Sequence, residues 1–343
     1  INFIKIVNKK RMEQITSYQG ENIDKNIEEL QYLRETTLKI KKEVAKVLVG
    51  QQEYVDLILA ALLSGGHILL EGVPGIAKTL LAKLLARTIE VDFSRIQFTP
   101  DLMPTDVIGT TIFNLKDANF NFRKGPIFSN FILIDEINRS PAKTQASLFE
   151  VMEERQVSVD GTTYQMSFPF MVIATQNPIE QEGTYRLPEA QLDRFLFRIK
   201  MDYPNFENEK LILRKFEQDF TNRQVLEVKG VMKAEDLKKC QEIVETIYIK
   251  EELLDYIAKI VFNTRNNGDL YLGASPRASL AILKSAKAMA ALNGRNFVIP
   301  DDIRWVTPSV LNHRIIASPE KEMEGVTTED IINNIIKGIE VPR

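Results

Sequence analysis

Short apolar runs that end abruptly in polar or turn-forming residues set the frame of this chain. His67–Leu70 runs into Glu71-Gly72-Val73-Pro74-Gly75, Phe131–Ile134 into Asp135-Glu136, and Phe170–Ala174 into Thr175-Gln176-Asn177-Pro178. Uninterrupted apolar runs of this length predict strands buried on both faces, the habit of a parallel sheet. Arg95–Thr99 and the alternating Phe195–Met201 supply two more strands. Between them the period changes to that of helices. Leu30, Leu33, Ile40, Val44 and Val47 mark an amphipathic helix over Ile27–Val49, Leu57–Leu63 a second ending at Ser64-Gly65-Gly66, Leu80–Ile89 a third, and Ala142–Gln156 a fourth.

Two further stretches read as inserted hairpins. Val107–Phe113 and Phe120–Arg123 flank the turn-rich Asn114–Asn119, in a connection long for a compact domain. Val157, Val159, Tyr164 and Met166 flank Asp160-Gly161, a strong turn signal. After Asp202-Tyr203-Pro204-Asn205 no buried strand is expected and helices follow one another: Phe206–Phe220, Ala234–Ile247, Glu251–Asn263, Pro276–Leu292, Pro300–Val306 and Thr328–Ile335. The expected organisation is a polar leader over 1–26, an α/β core over 27–203 and a helical domain over 204–343.

Composition removes several function classes. With 44 basic and 47 acidic residues the formal charge is −3, so no global basic field favours nucleic acid or anionic membrane. Cys240 is the only cysteine and His67 and His313 the only histidines, which leaves no intrachain disulfide and no zinc site of the usual kind. The longest uncharged run, Leu57–Leu70, is too short to span a bilayer and is broken by glycines. A cytoplasmic protein is expected.

The chemistry centres on the loop after the first strand. Strand, glycine-rich turn and helix place backbone N–H groups and a helix N-terminus around one concavity, which suits phosphate. In the spacing G-x-x-x-x-G-K-[ST], Lys78 reaches the β- and γ-phosphates and Thr79 ligates Mg²⁺. Ala77 stands where that pattern has its second glycine. If φ must be positive there, alanine costs about 1–2 kcal/mol, against about 8 kcal/mol for micromolar nucleotide binding. The Val49-Gly50-Gln51 break could line an adenine pocket or be an ordinary interhelical turn.

Other candidates stand at strand ends. Asp135 would hold Mg²⁺, usually through water, and Glu136 would polarise the attacking water; paired acids also begin ordinary loops, but the Lys78-Thr79 loop upstream favours the functional reading. Asn177 would hold the lytic water or cap the turn before Pro178. Arg194 could salt-bridge Asp193 or Glu189, or reach a neighbouring subunit's phosphate. Ser275-Pro276-Arg277 is an N-cap, a first-position proline and an arginine that opposes the helix dipole unless an anion lies near. Trp305 with Ile303 and Leu311 reads as core, Cys240 as buried and inert, and His313-Arg314 carry no assignment.

Taken together, GGHILLEGVPGIAKT, RIQFTPDLMPTDVIGT, FILIDEINRSPAKTQASLFEVMEERQVSVDG, VIATQNPIEQEGTYRLPEAQLDRFLF and GASPRA resemble the MoxR family of AAA+ ATPases, over roughly residues 49 to 305. The resemblance implies a P-loop domain with a five-stranded parallel sheet in the order 5-1-4-3-2, an all-helical lid, ATP and Mg²⁺ as cofactors, and a ring of about six subunits with ATP between neighbours. It assigns Gly50, Gly72, Val73, Pro74, Gly75, Ile76, Ala77, Lys78, Thr79 and Leu80 to nucleotide, and Thr79 and Asp135 to metal. Beside Glu136, Asn177 is similar to sensor 1, Arg194 to the trans arginine finger and Arg277 to sensor 2, in cis or in trans. Ala77 and Arg186, where the family often has proline, are departures. The implied activity is ATP hydrolysis coupled to chaperone-like remodelling or maturation of a protein partner, one with a von Willebrand factor A domain. A metal-chelatase ATPase subunit, a nucleotide-controlled scaffold with negligible turnover and a DNA translocase are the alternatives.

Overall fold

The computed structural model describes residues 28–116, 118–177, 185, 187–218 and 227–342. The leader expected over 1–26 and the departure at Arg186 lie outside them. Strands in chain order are β1 (His67–Glu71), β2 (Phe93–Gln97), β3 (Gly109–Asn114), β4 (Asn119–Lys124), β5 (Phe131–Asp135), β6 (Gln156–Val159), β7 (Thr162–Gln165), β8 (Met171–Gln176) and β9 (Phe195–Lys200). Helix α1 covers 28–45, α2 Gln52–Leu63, α3 Lys78–Thr88, α4 Pro104–Ile108 and α5 Ala142–Glu154. The central sheet has the order β2-β5-β8-β1-β9, every pair parallel. Counted without the two hairpins, that is 5-1-4-3-2, as expected.

Alternation along the buried strands feeds two core layers. Ile68, Leu70, Leu133 and Ile173 pack with the helical side that carries α2 and α3, while Leu69, Ile132, Ile134 and Val172 pack with Leu148 and Phe149 of α5. Every residue of β1 and β5 is buried. A fully buried leucine or isoleucine contributes about 1.5–3 kcal/mol, so these runs hold the strand ends in fixed register. Because all five strands are parallel, β1, β5 and β8 deliver their C-terminal residues to the same edge.

His67 opens β1 in a fully buried site. Its Nδ1 accepts the Val172 N–H at 2.9 Å and its Nε2 lies 3.2 Å from the Met152 carbonyl. That pairing fixes a neutral ring with the proton on Nε2. Burial, with the Arg155 charge second, pushes its pKa down to about 4. Cys240 is likewise buried, and burial pushes its thiol up to about 12.

Both hairpins form. β3 and β4 pair from Gly109 to Lys124, and β6 and β7 turn at Asp160-Gly161, where both residues take positive φ of 50° and 78°. The first is shifted from expectation. Val107 belongs to α4, with Pro104 in its first turn and the Asp106 carboxylate accepting the Met103 N–H. The second domain contains the expected helices, with three differences. A small antiparallel ribbon pairs β10 (Leu270–Leu272) with β11 (Ile316–Ala317). The helix begun at Pro300 runs on to Leu311 through Pro308. A short helix spans Pro319–Met323. Ile303 and Leu311 are fully buried, and Trp305, partly buried, packs against the core cluster that contains them. No helix among the described residues is long and apolar enough to cross a membrane.

Candidate active site

The loop after β1 holds the conformation its sequence suggests. Gly72 has no room for a side chain, since a Cβ would come within 2.5 Å of Ile76 and 2.6 Å of the Met201 carbonyl. Gly75 has φ +87° and open space around it. Ala77 is left-handed, φ 65° and ψ 22°, so its position does require the glycine-like conformation. Helix α3 starts at Lys78 with no side-chain cap and no acid in its first turn. A helix start of this kind suits an anion, and the residues present fit a nucleotide phosphate. Val73 and Thr79 are half-buried beside Pro74, and Ile76 is buried. Lys78 Nζ donates to the Gly72 carbonyl at 2.5 Å, folded across the loop.

At the same edge β5 presents its acids. Asp135 is buried, and its Oδ1 accepts from Thr175 Oγ1 at 3.2 Å and its Oδ2 from Arg95 Nε at 2.6 Å. Thr175 Oγ1 also accepts the Glu136 N–H at 3.0 Å, which ties β8 to the turn after β5. Glu136 takes a left-handed conformation, φ 57°. Its Oε2 accepts from Gln97 Nε2 at 2.9 Å and lies 3.1 Å from Arg139 Nε. Asn177, immediately past β8, is buried between the ends of β1 and β5. The oxygen donors Thr79 and Asp135 suit a hard divalent cation such as Mg²⁺. No short motif announces Arg95, Gln97, Thr175 or Arg139; the one local signal is that Arg95 and Gln97 share a face of β2, whose Gln97 stands in register with Asp135.

A cavity of about 430 Å³ opens beside the loop, with Val49, Gln51, Leu80, Tyr203, Ile212 and Phe216 in its wall. Gln51 Nε2 donates to the Ile76 carbonyl at 3.1 Å, and Gly50 turns the chain at φ +72°, where a Cβ would meet the Asn208 side chain at 2.2 Å. Of the two readings open for Val49-Gly50-Gln51, this arrangement fits a base pocket.

Arg194 and Arg277 are elsewhere. β9 runs parallel to β1 with Phe195 opposite His67, so Arg194 sits at the strand's N-terminal end while the loop leaves from the C-terminal end. A five-residue strand separates them, about 16 Å. Arg194 Nε lies 3.5 Å from Glu153 Oε2 and its guanidinium 5.8 Å from the Phe149 ring centre. Arg277 Nη2 donates to the other oxygen of Glu153 at 3.1 Å, and its Nη1 is 3.9 Å from Asp193. Glu153, at the end of α5, thus gathers one arginine from the sheet and one from the helical domain. The sequence points to Asp193 or Glu189 as the acid beside Arg194; in the structure Arg194 pairs with Glu153.

Three comparisons place this arrangement among known proteins. A profile of the "ATPase family associated with various cellular activities (AAA)" matches residues 67–197, and one of the AAA lid domain matches residues 263–335. Bacillus subtilis YeaC is 47% identical over 304 residues, 89% of this chain and 94% of that protein. Mycobacterium tuberculosis "Chaperone MoxR1" is 45% identical over 310 residues, 88% of this chain and 81% of that protein. A crystal structure of a Cytophaga hutchinsonii chain assigned as an ATPase superposes with a TM-score of 0.86 at 44% identity, covering 94% of this chain and 99% of that one.

Proposed function

The chain belongs to the MoxR family of AAA ATPases, and from that premise we propose that it hydrolyses Mg-ATP at sites shared between neighbouring copies in a ring, about six per ring. The observation that carries this reading is the split of the site. The phosphate loop, Asp135 and Glu136 occupy the C-terminal edge of the sheet, and Arg194 and Arg277 lie a strand length away at the other end. A head-to-tail interface brings one copy's edge to the next copy's far end, and repetition with closing rotation makes a ring. Exposed apolar residues occur near both ends: Tyr203 and Phe206 by the cavity, and Leu280 one helical turn beyond Arg277.

In this mechanism the loop N–H groups and Lys78 bind the β- and γ-phosphates, and the pocket around Gln51 and Tyr203 takes the base. Thr79 and Asp135 hold Mg²⁺. The metal supplies charge neutralisation on the phosphate oxygens. Glu136, steadied by Gln97 and Arg139, orients the attacking water and draws its proton, and Asn177 holds the water in line. A neighbour's Arg194, with Arg277 beside it, meets the charge that develops on the transferred phosphoryl group; arginine fingers contribute about 10³–10⁵ in rate in GTPase systems. Both arginines act in trans, and the core and lid divide near residue 203. The work done is chaperone-like remodelling or maturation of a protein partner in the cytoplasm, a partner carrying a von Willebrand factor A domain.

The test is ATPase rate per subunit against protein concentration, for wild type, Glu136→Gln, Arg194→Ala and an equimolar mixture of the two variants. Rates that rise with concentration, vanish in each variant and return on mixing are expected. A concentration-independent rate with Arg194→Ala fully active would mean a self-contained site.

A further inference from the structure

β9 is an edge strand of the sheet, so one row of its backbone groups has no strand beside it. Three consecutive side chains of the helical domain cover that edge. Asn312 Nδ2 donates to the Arg198 carbonyl at 3.0 Å, and a ring nitrogen of His313 lies 3.0 Å from the Phe195 carbonyl. Arg314 goes further. Its side chain is 4% exposed, and its Nε donates to Asp193 Oδ1 at 2.7 Å. Nη1 donates to the carbonyls of Leu196, at 3.1 Å, and Val310, while Nη2 donates to those of Asp193, at 3.3 Å, and Phe195, at 2.6 Å. All five guanidinium N–H groups are therefore used.

Two of these carbonyls, of Asp193 and Phe195, bracket Arg194. The Asp193 carboxylate that Arg314 holds also lies 3.9 Å from Arg277. We propose that Arg314 is the positioning residue for the arginine pair, locking the backbone on both sides of Arg194 and, through Asp193, setting Arg277 beside it. Lid and β9 then present both guanidinium groups to the neighbour as one rigid unit. Adhesion alone does not need such a group, because apolar packing of similar volume often serves a buried seam as well as a buried ion pair does. What a fully bonded guanidinium adds is direction, in five fixed vectors that a lysine ammonium lacks. The inference rests on the shared-site reading above.

Arg314→Lys and Asp193→Asn test it, each checked for fold by circular dichroism and melting. Asp193→Asn keeps the shape of the site and the four backbone bonds of Arg314, so it remains informative where Arg314→Lys fails to fold. Both should lower kcat, by about 10-fold or more for Arg314→Lys, because misplacement by an ångström is enough to lose such a factor. Affinity for labelled ATP at each variant's own loop should not change. Mixing either variant with Glu136→Gln should restore about a quarter of the wild-type rate per subunit, the share of junctions left intact in a randomly mixed head-to-tail ring. The Arg194→Ala and Glu136→Gln mixture is the control. If the control recovers and neither the Arg314→Lys nor the Asp193→Asn mixture does, or if both variants turn over at the wild-type rate, the positioning role is overturned. If the control itself stays inactive, the shared-site reading fails first and this inference with it.

Discussion

The two ends of the sheet are built differently. At the C-terminal edge, the loop, the Asp135-Glu136 pair and Asn177 each follow directly from a buried strand, so a few adjacent residues place the chemistry. At the N-terminal end of β9, Arg194 stands just before the strand, while Arg277 arrives from the first turn of the helix Pro276–Leu292 and Arg314 from the turn after the helix Pro300–Leu311, and they meet Glu153 and Asp193 across more than a hundred residues of sequence. One end sets a helix start without a side-chain cap beside two acids, each held by an arginine of its own, Asp135 by Arg95 and Glu136 by Arg139. The other holds three arginines against two acids, an arrangement an incoming phosphate could share. On the shared-site reading proposed above, the active site is half local motif and half tertiary construction.

The largest expected effect comes from breaking the first end. Glu136→Gln should cut turnover by about 10²–10⁴ while labelled ATP still binds, since the loop and Lys78 are untouched. Arg277→Ala breaks the second end and should cost about 10²-fold, restored in part by mixing with Glu136→Gln. Should Arg277→Ala instead weaken ATP binding at a dilution where copies are separate, the helical arginine acts on its own subunit's nucleotide and the contrast between the two ends collapses.

The same contrast explains what was legible in the sequence. Buried runs and their polar ends mark three of the five strands, β1, β5 and β8, and with them the loop, Asp135, Glu136 and Asn177, because burial on both faces leaves an unalternating apolar signature. Lys78 and Thr79 are placed by spacing alone. Gln97, Arg95 and Thr175 escape notice because they reach the acids across the sheet, and only strand order tells which strand lies beside β5. Val107 looks like strand but packs inside α4, where Pro104 and the Asp106 cap outweigh β-branching. His313-Arg314 carry no motif at all. Their meaning comes from the edge of β9, which no local pattern reveals.

Acid should act with intermediate size at the arginine end, because both histidines lie at the N-terminal end of the sheet. His67 opens β1 opposite Phe195, and His313 contacts the Phe195 carbonyl. Burial, then the Arg314 charge, holds His313 well below the usual histidine range, in the same direction as His67. An unfolded chain takes up a proton near pH 6.5 and the folded His67 only near 4, so between those values the unfolded state binds more protons and stability falls as pH falls. The loss approaches about 3 kcal/mol for His67 by pH 4. Melting temperature followed from pH 7 to pH 4.5 should drop for wild type, and less for His67→Asn, whose Oδ1 can still accept the Val172 N–H. An unchanged slope in His67→Asn would assign the acid sensitivity elsewhere.

The smallest effect tests the loop itself. Ala77 holds φ 65° and ψ 22°, a conformation that costs an alanine about 1–2 kcal/mol. Ala77→Gly removes that strain but returns about 0.4–1 kcal/mol of freedom to the unfolded chain. The net expectation is stabilisation of about 0.5–1 kcal/mol, read as a higher melting temperature without nucleotide. With the left-handed turn taken as part of the folded chain, folding and not binding bears the strain, and ATP affinity should stay as it was. Tighter ATP binding with an unchanged melting temperature would reverse that order: the turn would form only around the phosphate, and the C-terminal edge would be no more prebuilt than the arginine end it is set against.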